Sequence, residues 1–103
     1  MNHNQDYLNL LRIIQSKPKC TQRELADNLG FSLGKLNYCL KALKSKGLIS
    51  INNIRKENKK FSYLYILTPK GLSEKTQLTL NFMKSKMREY DELSKELNLR
   101  TER

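Results

Sequence analysis

Between Thr21 and Gly47 the sequence sets out two helix starts and two helix stops, with only Gly30 and Phe31 between the first stop and the second start. Thr21-Gln22-Arg23-Glu24 is a capping box. The Thr hydroxyl accepts from the Glu backbone N–H, and the carboxylate accepts from the Thr N–H. Leu25, Ala26 and Leu29 make the inner face of the helix that follows, and Gly30 suits the positive φ at which a helix ends. Ser32 caps the next helix, which runs to about Lys46 with Leu36, Cys39, Leu40 and Leu43 inward at spacings of three and four. Lys44 and Lys46 fall in its last turn, where the helix dipole favours cations, and Gly47 closes it. Two short helices joined by so tight a turn predict a helix-turn-helix. The small Ala26 lets the two helices approach closely.

The flanking sequence completes a known kind of domain. A first helix is expected from Asp6, suited to its cap, to Ser16, with Tyr7, Leu8, Leu10, Leu11, Ile13 and Ile14 at helical spacings. Lys17-Pro18-Lys19 stops it. After Gly47 the periodicity changes: Leu48–Ile54 and Phe61–Leu67 are β-rich runs separated by the polar Arg55–Lys60, which predicts a β-hairpin with a basic tip. Thr68-Pro69 starts a last helix, Thr as cap and Pro in the first turn. From Lys70 to about Leu99 nothing breaks it strongly, and about 45 Å of helix exceeds the width of so small a domain, so part of it should project. Leu80, Met83, Met87, Tyr90 and Leu97 form a stripe with 3–4 spacing, interrupted at Ser94, which predicts a partner helix. The fold class is mainly α with a small β-hairpin (α+β): a winged helix-turn-helix over 1–69 and a C-terminal dimerisation helix over 70–103.

Charge then points to a partner. Twenty Lys and Arg stand against ten Asp and Glu, a net +10. The segment Lys35–Lys60 alone holds +7 of it. So local an excess is the footprint of a polyanion-binding face rather than a solubility device. The hydrophobic content of 38% is low for a globular chain of 103 residues and suggests an extended shape or a shared core. No stretch approaches the ~18 apolar residues of a membrane span and none reads as a signal peptide, so neither a membrane nor secretion is expected. Cys20 and Cys39 suit the reduced cytoplasm.

The run from Thr21-Gln22-Arg23-Glu24-Leu25-Ala26 through Ser32-Leu33-Gly34-Lys35-Leu36-Asn37-Tyr38-Cys39-Leu40-Lys41-Ala42-Leu43 and Gly47-Leu48-Ile49 resembles the MarR-like winged-helix regulators. Tyr65-Ile66-Leu67-Thr68-Pro69-Lys70-Gly71 is similar to the strand-to-helix junction of the same group. Together the two motifs resemble a short branch described as exopolysaccharide-associated transcriptional regulators. The resemblance covers roughly residues 6 to 98. It implies a homodimer, a palindromic double-stranded DNA site and transcriptional control, here of exopolysaccharide genes. Larger relatives build a longer dimerisation region, often from both ends of the chain. With one short N-terminal helix here, a small-molecule effector is not expected.

Within this frame the third helix enters the major groove. If Leu36, Leu40 and Leu43 face the core, then Leu33, Gly34, Lys35, Asn37, Tyr38 and Lys41 face outward, with Lys44 beyond them. Asn37 suits a bidentate pair with adenine, and Lys35 or Lys41 a guanine or a phosphate. Ser32 and the N–H groups at its helix start suit a phosphate, although a cap alone explains the serine. Arg55, Lys56, Lys59 and Lys60 would straddle the DNA backbone. Such contacts position a protein, while base contacts specify sequence.

Other residues read more plainly. Cys39 on an inner face is packing, Cys20 at a helix entry is the more exposed thiol, and His3 lies in a frayed terminus. Two cysteines and one histidine make no metal site. No catalytic set and no cofactor motif is present, so an enzyme is not expected. Two rivals remain open: a winged-helix adaptor whose last helix recruits another protein, and a nonspecific nucleic-acid-coating protein that stacks bases on Tyr63 and Tyr65.

Overall fold

A computed structural model describes residues 3–55 and 61–101, the side chains of 53–55, 61, 62 and 99–101 excepted. The order is α1 (Asn4–Ser16), β1 (Lys19–Cys20), α2 (Gln22–Leu29), α3 (Leu33–Ser45), β2 (Ile49–Arg55), β3 (Phe61–Leu67) and α4 (Pro69–Thr101). This is a winged helix-turn-helix followed by a long C-terminal helix.

The helix ends follow from their own residues. Thr21 Oγ1 accepts from Glu24 N at 3.0 Å, and Glu24 Oε1 accepts from Thr21 N at 2.8 Å, so both arms of the capping box form. Gly30 and Gly47 close α2 and α3 at φ of +71° and +76°, where a side chain would be strained. Thr68 has two tasks. Its Oγ1 accepts from Gly71 N at 2.9 Å, capping α4, and donates to the Gly47 carbonyl at 2.6 Å. One hydroxyl therefore ties the start of α4 to the end of α3.

The hairpin pairs Ile49↔Leu67 through Arg55↔Phe61. A third strand joins it that the sequence did not announce. Lys19 and Cys20, expected only to follow a helix stop, pair antiparallel with Leu64 and Tyr63, giving the order β1-β3-β2. Two residues carry no period of their own, so this strand exists only because β3 offers it an edge. It reverses one expectation: Cys20 turns into the core and is 6% exposed.

Two further corrections concern the N-terminus. Helix α1 begins at Asn4, and Asp6 lies in its first turn rather than at its cap; His3 occupies the cap position without a side-chain cap bond. His3 is not frayed: its ring lies against Tyr7 and Tyr38, with centroids 5.9 and 5.5 Å away.

The core gathers Leu10, Leu11 and Ile14 of α1, Leu25 and Ala26 of α2, the four inner residues of α3, and Tyr65 of β3. Leu78 of α4 belongs to it, and Phe82 packs on its edge. Gly71 is where α4 crosses the chain after α3, and any side chain there would run into the Leu48 carbonyl. From Met83 to Asn98 no residue is buried, so the rest of α4 projects, and the molecule measures 66 × 27 × 25 Å.

Candidate nucleic-acid interface

The inner face of α3 fixes what its outer face can present. Leu36, Cys39 and Leu43 are fully buried and Leu40 nearly so. At 100° per residue, the side opposite them carries Gly34, Tyr38, Lys41 and Ser45. Leu33, Asn37 and Lys44 lie on one flank, Lys35 and Lys46 on the other. All of these are exposed. Tyr38 is 58% and Leu33 43% exposed, notable for large apolar or aromatic groups on a helix that has a core available to it.

The two flanks differ in freedom. On one side Lys35 Nζ lies 3.1 Å from the Asp6 carboxylate and 4.5 Å above the Phe31 ring. Lys46 Nζ sits 5.0 Å above the ring of Tyr7, and His3 rests on Tyr38. The first turns of α1 thus clasp this edge of α3. Sequence reasoning missed the clasp, because His3, Asp6 and Tyr7 bear no local mark of contact with residues some thirty positions later.

Ser32 Oγ accepts from Lys35 N at 3.1 Å, so the hydroxyl serves as a helix cap. Gly34 has open space around it, since an added Cβ would meet nothing nearer than Ser32 Oγ at 4.0 Å. It gives α3 a flat spot beside Asn37 and Tyr38. Arg55 is described by its backbone, paired with Phe61 at the last described rung of the hairpin. Lys56, Lys59 and Lys60 lie outside the described residues.

The thiols are poor nucleophiles. Burial pushes the Cys39 thiol above its ordinary value, with Asp6 adding to the shift and Lys35 opposing it. Burial does the same to Cys20, with Glu24 adding and Lys17 opposing. A thiol held protonated reacts slowly. Tyr65 is raised further, again by burial first, with Gln22 beside its hydroxyl partly offsetting it. Tyr65 is thus a core residue, 1% exposed, and offers no stacking face; Tyr63 is half-buried against it, rings 5.9 Å apart. Among the described residues no helix is long and apolar enough to cross a membrane.

On α4, Leu80, Met83, Met87, Tyr90 and Leu97 are 45–70% exposed, and Leu93 joins them at 58%. This is an apolar stripe, broken at Ser94, that nothing among the described residues covers.

Comparison with known proteins places this geometry. Residues 8–50 match the family described as winged helix-turn-helix DNA-binding. No curated protein matches the chain significantly in sequence. Solved structures match over nearly its whole length. The DNA complex of MepR from Staphylococcus aureus aligns with a TM-score of 0.70 at 19% identity, covering 94% of this chain and 70% of that one. ZitR of Lactococcus lactis, a zinc-responsive MarR family member, aligns at 0.63 and 20% identity over 87% of this chain and 60% of that one. Sso10a-2, a DNA-binding protein of Sulfolobus solfataricus, aligns at 0.66 and 22% identity over 96% of both chains. The chain therefore has the winged helix-turn-helix fold of these structures.

Proposed function

We propose that the chain is a DNA-binding transcriptional regulator that reads an inverted repeat in double-stranded DNA as a homodimer. The observation that carries this is α3. Its apolar face is locked in the core, while its outer face presents Gly34, Asn37, Tyr38, Lys41 and Lys44 to solvent within the most basic stretch of the sequence. A helix of this kind, second in a helix-turn-helix, fits the major groove by its diameter. The MepR structure aligned above is a DNA complex of the same fold.

In this reading Asn37 pairs with an adenine edge, and Lys41 reaches a guanine or a neighbouring phosphate. Ser32 and Lys44 bracket the helix at the backbone, and Leu33 and Tyr38 offer apolar contact to a thymine methyl. The cations Arg55, Lys56, Lys59 and Lys60 add phosphate contacts, which supply affinity and register without sequence information. Lys35, held by Asp6, is the least free of the α3 cations. The exposed stripe of α4 pairs two copies, and the sites controlled are those of exopolysaccharide genes, in the cytoplasm, as the sequence resemblance implies.

Selection of bound fragments from a genomic DNA pool, followed by footprinting, tests the reading. The expected result is an inverted repeat with half-sites about one helical turn apart, upstream of exopolysaccharide genes. A flat sequence preference would sink it in favour of a nonspecific DNA-coating protein.

A further inference from the structure

The projecting half of α4 is polarised along its length. Residues 84–88 carry Lys84, Lys86 and Arg88, a net +3. Residues 89–96 carry Glu89, Asp91, Glu92 and Glu96 against Lys95, a net −3. The apolar stripe runs straight through both blocks and is exposed throughout, from Leu80 at 45% to Leu97 at 68%. It lies on a different side of the helix from the body-facing residues Leu78 and Phe82, roughly a third of a turn away at 100° per residue. One helix thus has two apolar faces, one filled by its own domain and one not.

We propose that the second face is covered by the same face of a second copy, running antiparallel, with the two-fold axis between Arg88 and Glu89. This rests on the homodimer reading above and gives it a geometry. In heptad terms Leu80, Met87 and Ser94 are a positions, and Met83, Tyr90 and Leu97 are d positions. Antiparallel helices stack a on d. One register satisfies every layer at once: Leu80 on Leu97, Met83 on Ser94 and Met87 on Tyr90, each repeated by symmetry. The break at Ser94 then faces the flexible Met83, which can fill the gap left by a small side chain.

Charge selects this arrangement over a parallel one. Antiparallel pairing lays the +3 block of one copy along the −3 block of the other. Parallel pairing lays like on like and sets Ser94 against Ser94. In the antiparallel register the flanking e positions bring Lys84 beside Asp91 of the other copy, twice per dimer. The flanking g positions bring Lys86 beside Leu93, whose exposed surface the lysine stem can cover. Lys86 meanwhile pairs within its own helix with Glu89 at 3.3 Å, so its charge is already balanced. A parallel coil would require it to leave that partner for Asp91.

The same register sets the distance between the two winged domains. Leu78, where α4 is still in its own core, lies about 16 Å from the axis along the coil at 1.5 Å per residue. The two domains are thus about 31 Å apart along it, of the order of the ~34 Å turn that separates half-sites.

Cysteine pairing decides the orientation. The chain's own Cys20 and Cys39 are both buried, and the parent chain serves as the control for their silence. Leu80→Cys and Leu97→Cys chains, mixed and mildly oxidised, are expected to form a disulfide-linked heterodimer, while neither variant links to itself. Self-linked Leu80→Cys would mean a parallel coil and overturn the proposal, as would a parent that stays monomeric in light scattering at every concentration. Surface charge gives a second readout that leaves the core layers untouched. Asp91→Lys should weaken the dimer about tenfold by replacing two cross-pairs with repulsion. Adding Lys84→Asp should restore it. Rescue by Lys86→Asp instead would indicate the parallel register and overturn the proposal. Sequence-selective DNA binding is measured separately on the parent, so a wrong register leaves the regulator reading standing, and a flat DNA preference leaves the register standing.

Discussion

In the first half of α4, Gly71 and Leu78 are buried and Phe82 packs against the core. In the second half, Met83, Met87, Tyr90, Leu93 and Leu97 are all more than half exposed. No break in the helix separates the halves, and both carry large apolar residues at helical spacing. What differs is the neighbour. The first half has α1 and β3 to lie against, and the second has only its own amphipathic pattern. A long helix can therefore belong to two cores, one closed inside the chain and one completed from outside.

Substitutions should divide along that line. Leu10, with no exposed surface, sits in the closed core. Leu10→Ala should cost about 2–5 kcal/mol through lost burial and a residual cavity, read as a lower midpoint in urea. A shift under about 1 kcal/mol would mean that the α1 core is loosely packed. Met87→Glu should do the reverse. It sets two carboxylates in the central layers of the pairing face, so the dimer should weaken on the order of a hundredfold, while helix content by circular dichroism stays near that of the parent. A variant that remains dimeric would erase the distinction between the halves.

A second contrast lies within the DNA-facing surface. Asn37→Ala should lose about 1–3 kcal/mol of discrimination at one base pair and little elsewhere. Lys59→Ala should weaken all sequences alike and reduce the slope of log K against log salt by about 1. Competition binding at several salt concentrations separates the two. Identical behaviour would abolish the division between a specifying helix and a positioning wing.

The features legible in the sequence were those with a local cause. The capping box at Thr21 and Glu24, the positive-φ glycines at 30 and 47, the serine cap of α3 and the Thr68-Pro69 start all act over three or four residues, and each forms as expected. The inner face of α3 was equally legible, because burial on a helix has a period, and the exposure of Asn37 and Lys41 follows from it. What was not legible depends on distant chain. Strand β1 exists because β3 offers an edge, and it buries Cys20. Nothing near Asp6 indicates that its carboxylate reaches Lys35, nor that His3 reaches Tyr38. The candidate interface was thus readable as a list of outward residues. It was not readable as a surface with one clasped edge and one free edge.

The clasped edge yields the smallest prediction. An ion pair between groups this exposed, Lys35 at 45% and Asp6 at 26%, contributes under about 1 kcal/mol to stability. Its effect on binding has another origin. A phosphate approaching Lys35 must displace a carboxylate already 3.1 Å from the ammonium, so the pair withholds one cation from the backbone. Asp6→Asn removes the competing charge and leaves a side chain of the same shape. Nonspecific affinity should therefore rise a few-fold at low salt and its salt slope steepen by up to about 1. The ratio of specific to nonspecific binding should fall, because an added phosphate contact favours every sequence equally. Thermal unfolding should barely move. If specific and nonspecific affinity instead both drop, Asp6 holds Lys35 in position for DNA rather than away from it, and the clasped edge would then belong to the interface as fully as the free one.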